Sequence, residues 1–133
     1  MENLVLNISL LNGTTDEIKL TSKARSLSIE EFLNDSIVLN NSEKIIDIDA
    51  LDTTDILIVE ATYNVTDSIA GVSQGEDAPF SLKKTIGSNP EILYPKLKGI
   101  AVIQLGENIS SLKILTDSTV DVRIKYYIGS YAI

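Results

Sequence analysis

The densest group of side chains able to do chemistry is the run Asp47-Ile48-Asp49-Ala50-Leu51-Asp52-Thr53-Thr54-Asp55. Calcium takes about six to eight hard oxygen ligands, and aspartates at alternate loop positions can supply several. Asp47, Asp49, Asp52 and Asp55 are therefore the candidate metal ligands, and calcium is the candidate metal. The run lacks the central glycine and the terminal bidentate glutamate of an EF-hand loop. Its competing reading is an acidic turn in which Asp and Thr hydrogen-bond their own backbone. No other cofactor is expected.

Carboxylates can also pair as general acid and base. Glu60, Asp47 and Asp121 are the candidates on expected strands, where alternating carboxylates are equally the dress of a solvated sheet face. Asp52-Thr53-Thr54 departs from the Asp-Thr/Ser-Gly of aspartic proteases. The chain has no histidine and no cysteine. That removes Ser-His-Asp and Cys-His catalysis, imidazole- or thiolate-bound zinc, and any disulfide. The stretch Gly71 to Gly75 has no Lys-Ser/Thr ending and is no phosphate loop. The expectation is a protein that is not an enzyme, with no catalytic residues.

Contact chemistry is more promising. Tyr126 falls on the apolar side of the last strand pattern and Tyr127 on the other side. Tyr127 and Tyr131 could form a sugar- or protein-binding patch, since tyrosine offers a large apolar body with a polar tip. The end Gly129-Ser130-Tyr131-Ala132-Ile133 is too apolar for a free tail and is expected to be buried in the domain or in a neighbour. Tyr127, Tyr131 and Ile133 are thus the candidate interface residues. The lack of tryptophan weakens a carbohydrate-binding reading.

The elements that position these residues are strands. Ile, Val and Thr number 19, 8 and 10 in 133 residues, and such β-branched side chains favour pleated sheet. Leu4, Leu6, Ile8 and Leu10 alternate with polar neighbours, Asn12-Gly13 suits a type I′ turn, and Ile18 and Leu20 alternate beyond it: a hairpin. Ser28-Ile29-Glu30-Glu31 has the form of a capping box, and Ile29, Phe32 and Leu33 would share one helical face, so one short helix is expected near 29–34. Strands are expected at Ile37–Leu39 and Lys44–Ile48 around an Asn40-Asn41-Ser42 turn, and over Asp55–Asn64. Apolar residues on both faces of Asp55–Asn64 imply a central strand or one covered by a partner.

Ser73 to Pro79 reads as a loop, Phe80 to Thr85 as a strand, and Gly87-Ser88-Asn89-Pro90 and Tyr94-Pro95 as breaks. Ile100–Leu105 and Leu112–Thr116 follow, separated by Gly106-Glu107-Asn108. The last strand alternates Val120, Val122, Ile124, Tyr126 and Ile128 against Thr119, Asp121, Arg123, Lys125 and Tyr127. About eight or nine short strands without βαβ alternation describe an all-β, antiparallel β-sandwich, jelly-roll-like, spanning 1–133 as one domain.

The net charge is −8, which argues against nucleic acid or an anionic membrane as partner. Residues 1–80 carry −11 and residues 81–133 carry +3. Either the strand faces differ in sign, or the basic half of one copy meets the acidic half of another, a head-to-tail contact that builds rings or lattices. Met1 to Leu11 lacks a basic start and an unbroken apolar core, so no signal peptide is expected and synthesis in a cytoplasm is.

The stretch from Lys96 through Gly99-Ile100-Ala101-Val102-Ile103-Gln104-Leu105, with Leu112–Thr116 and Val120–Tyr127, resembles the final hairpins of small β-sandwich virion proteins of tailed bacteriophages, such as head decoration, head-fibre or tail-associated subunits. The resemblance lies in pattern over about the last 50 residues and has no catalytic signature. It implies a virion-located, capsid-decorating or fibre-associated structural subunit, made in the host cytoplasm. Such a subunit forms a homo-oligomer, often a trimer, and docks on other virion proteins. The alternative is a ligand- or glycan-binding β-sandwich, receptor-binding or lectin-like.

Overall fold

The computed structural model describes residues 2–8, 23–105 and 108–132. Nine strands occur among them: β1 (Glu2–Ile8), β2 (Lys23–Leu39), β3 (Ser42–Ile46), β4 (Ile56–Tyr63), β5 (Pro79–Thr85), β6 (Ile92–Lys98), β7 (Ile100–Gln104), β8 (Ser111–Thr116) and β9 (Val122–Tyr131). They form two antiparallel sheets, β1-β2-β9-β4-β7 and β3-β8-β5-β6. Among the described residues no helix is long and apolar enough to cross a membrane.

The pairing has a simple order. β5 pairs with β6, β4 with β7, β3 with β8 and β2 with β9. From β2 onward the chain is one long hairpin that has been rolled, so that alternate pairs fall into opposite sheets. Two further ladders, β4 with β9 and β5 with β8, close each sheet across the roll. The core lies between the sheets. Leu57, Val59 and Ala61 of β4 and Val122, Ile124 and Ile128 of β9 face Phe80 and Leu82 of β5 and Leu112 and Ile114 of β8. Period-2 alternation puts these residues on the inner faces, as the last strand's pattern predicts. Tyr126 joins them half-buried, and Lys84 reaches from the inner face of β5 over the Tyr94 ring, 5.4 Å from its centroid.

Two expectations need correction. The segment 29–34 is not a helix but lies inside β2. A β-bulge between Ile29 and Glu31 inserts one residue, so the ladder puts Ile29 opposite Tyr131 and Phe32 opposite Gly129. Tyr131 and Gly129 share a face, so Ile29 and Phe32 do too. An apolar spacing of three, the mark of a helical face, here results from a bulge. The expected turn at Asn40-Asn41 is present, and it carries the chain from one sheet to the other, since β2 and β3 belong to different sheets. Asn41 takes φ 42° and donates its N–H to the Ser118 carbonyl, while the Asn40 amide holds Thr119 and Asp121. The other correction is that Tyr94-Pro95 does not end a strand. β6 is an edge, where a missing N–H is tolerated, and Lys96 with φ 58° accompanies a register shift against β5. The Asn12-Gly13 turn, the Ile18–Leu20 strand and Gly106-Glu107 lie outside the described residues; β1 pairs with the start of β2, Ile8 opposite Lys23.

The sharpest change of sheet is at Gly99, the one residue between β6 and β7. Its N–H donates to the Ala78 carbonyl, the Ala78 N–H to Ala61, and the Ala61 N–H back to Gly99, at 3.1, 3.0 and 2.7 Å. This closed ring of backbone bonds ties both sheets at one corner. Gly99 has φ 77°, and a Cβ there would lie 2.5 Å from the Asp77 carboxyl carbon. Alanine therefore meets both a left-handed backbone penalty of about 1–2 kcal/mol and a clash. Gly87, at φ 58°, has open space and meets only the first. Gly99→Ala should lower the urea midpoint clearly more than Gly87→Ala, and equal losses would show that the corner is not tight.

Outside β3, β8, β5 and β6 the solvent face carries four linked ions. Lys83 meets Glu43 at 3.0 Å and Glu91 at 3.9 Å, and Lys113 meets Glu91 at 2.9 Å and Glu43 at 3.8 Å. Glu43 comes from the acidic half of the chain and both lysines from the basic half, so here the complementary charges meet within one chain. The hydrogen bond from Lys83 holds the Glu43 carboxyl below its ordinary range, and the hydrogen bond to Glu91 raises Lys113. A lowered carboxylate stabilises above its unfolded pKa and loses that contribution as pH falls through the folded one. A raised lysine loses its contribution only as pH rises through the alkaline range. Glu43→Gln should thus lower the melting temperature slightly at neutral pH, with the difference from the parent vanishing at acid pH and in molar salt.

Candidate interaction face

The register across β2, β9, β4 and β7 fixes what the five-stranded sheet shows on its outer side. One row reads Ser36, Lys125, Glu60 and Ile100; the next Asn34, Tyr127, Ile58 and Val102; the third Phe32, Gly129, Ile56 and Gln104. The first row is charged at its centre. The next two are mostly apolar: Phe32 and Val102 are exposed, Tyr127 and Ile58 half-buried, and Gly129 and Ile56 buried. Solvated antiparallel faces are ordinarily polar, so this half of the face departs from the expected alternation.

Gly129 organises the apolar half. Its backbone φ is ordinary for any residue, but a Cβ would lie 3.1 Å from the Tyr127 ring and 3.2 Å from an Ile29 methyl. Neighbouring side chains have closed over the gap. Phe32, opposite Gly129, stacks on Tyr127 with centroids 5.4 Å apart and planes 14° from parallel, an arrangement worth about 0.5–1.5 kcal/mol beyond area burial. Ile29 and Ile56 are fully buried although they stand outside the main core. Phe32 remains 37% exposed, Val102 42% and Ile100 62%, so the stack and the β7 edge are open to contact.

Of the expected interface residues, Tyr127 sits at the centre of this face. Tyr131 is half-buried at its end, where its hydroxyl accepts from the Gln104 amide at 2.8 Å and its N–H donates to Asp55 at 2.7 Å. Ile133 lies outside the described residues. Gly129 and Ser130 are buried within this chain, inside β9, and Ser130 donates to the Thr53 carbonyl. Sequence reading missed Phe32 because the helical spacing assigned it elsewhere, and missed Gly129 because a glycine without positive φ leaves no local signal. Beside the stack, Asn34, Ser36, Ile58, Glu60, Lys125 and Tyr127 line a shallow hollow. On the inner side, burial and then the charge of Asp35 raise the Tyr126 phenol.

The acidic run behaves as a set of turn formers. Asp47 accepts from the Asp49 N–H at 3.0 Å, and Asp55 accepts from the Thr53 hydroxyl at 2.9 Å as well as from Tyr131. The Asp52 N–H points to Glu31 at 3.4 Å. Among the described residues no three acidic side chains gather as a metal site. Nearby, the Thr54 hydroxyl is buried without a hydrogen-bond partner among those residues. The candidate acid-base carboxylates are also separated. Asp121 holds Asn40 at one corner, Asp47 follows the far end of β3, and Glu60 stands on the outer face of β4.

No protein-family model matches the chain, and no curated protein matches it. Among solved structures it is similar to a Bacillus endospore appendage chain, described as belonging to a novel family of disulfide-linked pili. The match covers 94% of this chain and 100% of that one, at 12% identity and a TM-score of 0.42, a likeness too slight to carry weight for fold or assembly.

Proposed function

We propose that this chain is a structural subunit that works by self-association through the outer face of its five-stranded sheet, and not a catalyst. The observation that carries this is the exposed apolar surface of Phe32, Val102 and Ile100 on the face that holds the Phe32–Tyr127 stack. A face of that kind is a contact surface or an aggregation hazard in a soluble protein. The separated carboxylates and the lysines engaged by Glu43 and Glu91 favour the non-enzymatic reading.

The finer form of the proposal is a virion subunit of a tailed bacteriophage, made in the host cytoplasm and docking on a larger shell. The strand order supports a jelly-roll winding, which capsid and lectin domains share. Fold alone does not select between them. The hollow favours a second reading as a glycan-binding module, since Tyr127 offers an aromatic surface beside Asn34, Ser36, Glu60 and Lys125. A glycan array addresses that reading, with binding abolished by Tyr127→Ala as its expected signature.

Light scattering at low and at molar salt tests the main proposal. Because the face is apolar and the strongest charge network is satisfied within the chain, an oligomer whose mass persists in molar salt is expected. A monomer at both salts and at high concentration would overturn self-association. An oligomer that dissociates in salt would overturn the apolar face as its basis.

A further inference from the structure

We infer that β7 is an open docking edge that takes β7 of a second copy, antiparallel, about a two-fold axis through Val102. This rests on the reading of the chain as a self-associating subunit and names the contact. β7 ends its sheet and pairs only with β4 among the described residues. The Leu105 N–H donates to Asp55 and the Gly99 carbonyl accepts from Ala61, both at 2.7 Å. Backbone direction alternates along a strand, so Ala101 and Ile103 also face β4. The N–H and C=O groups of Ile100, Val102 and Gln104 therefore point out of the sheet, where their natural partner is another extended strand.

The edges of the other sheet carry devices that deter such pairing. β6 has Pro95, Lys96 at φ 58° and Lys98, and β3 has Glu43 and Lys44 in five residues. β7, Ile100-Ala101-Val102-Ile103-Gln104, has no charge and no proline. Its pattern is also self-complementary. With Val102 opposite Val102, Ile100 falls opposite Gln104 and Ala101 opposite Ile103, and each outward N–H and C=O of the three edge residues finds a partner. No charge is brought into the ladder, and the row of Tyr127, Ile58 and Val102 on one outer face continues into the same row of the other. A two-fold contact closes on itself and leaves no growing end. Five residues make a short ladder, so the contact is concentration-dependent.

The absence of cysteine gives a direct test. Hydrogen-bonded antiparallel pairs set Cα atoms about 5.5 Å apart, within the roughly 4.4–6.8 Å that a disulfide spans. Val102→Cys should form a dimer on mild oxidation at least about tenfold faster than Val38→Cys, an exposed site on β2, because the edge holds its thiols together. Val102→Lys sets two ammonium groups side by side on an exposed position and should lower the solution mass across a concentration series, with the circular dichroism spectrum unchanged. A chain monomeric at every concentration overturns this inference together with self-association. An oligomer whose mass ignores Val102→Lys, and whose Val102→Cys crosslinks no faster than the control, overturns this inference alone and leaves self-association standing. Crosslinking of Val102→Cys to a different strand of the second copy would likewise refute the two-fold register.

Discussion

Everything in this fold depends on backbone groups staying paired while the chain passes from one sheet to the other. A sandwich wound from one long hairpin must change sheets at each corner, and there the strand ladders run out. The ring formed by Ala61, Ala78 and Gly99 meets that need without a side chain. It admits only a residue that accepts φ 77° and has no Cβ toward Asp77. At the opposite corner Asn40 and Asn41 do the same work with an amide side chain and one left-handed residue. These corners hold the inner faces of β4 and β9 over β5 and β8, and so decide which residues are left on the outer side.

What the sequence made legible follows from that division. Strands with one buried face, such as β9 with Val122, Ile124 and Ile128 inward, announce themselves through period two. β4 was readable as central because both of its faces are apolar, and it lies between β9 and β7. The misreading at 29–34 has a definite origin: one bulged residue converts a spacing of two into a spacing of three, which local pattern cannot tell from a helical turn. Pro95 misled in the opposite direction, since a proline ends a central strand but not an edge.

The candidate face was legible only in part. Tyr127 could be placed on the outer side by parity, and the apolar end beyond it could be expected to be buried. Phe32 stacks on Tyr127 from β2, and Gly129 makes room for neither turn nor bulge but for its neighbours' side chains. Such a cluster depends on register between strands about a hundred residues apart, which no window along one strand contains. The acidic run shows the converse. Its density drew the eye to calcium, and what local pattern did not show is that Asp47 accepts from the backbone of its own turn and Asp55 ties Tyr131 to the loop before β4.

The pairing of β2 with β9 has a consequence for how the chain reaches this state. Leu39 lies opposite Val122 and Ile29 opposite Tyr131, so the longest ladder joins the first strand of the roll to the last. Within the roll from β2 onward, only β5 with β6 can form as a local hairpin. The remaining pairs close progressively larger loops, whose entropy must be spent before any contact repays it. Folding is therefore slow for the chain's size, and a ribosome holding back β9 holds back the centre of the sheet. The sandwich closes only after synthesis has passed Tyr131, with β2 waiting unpaired on that side until then.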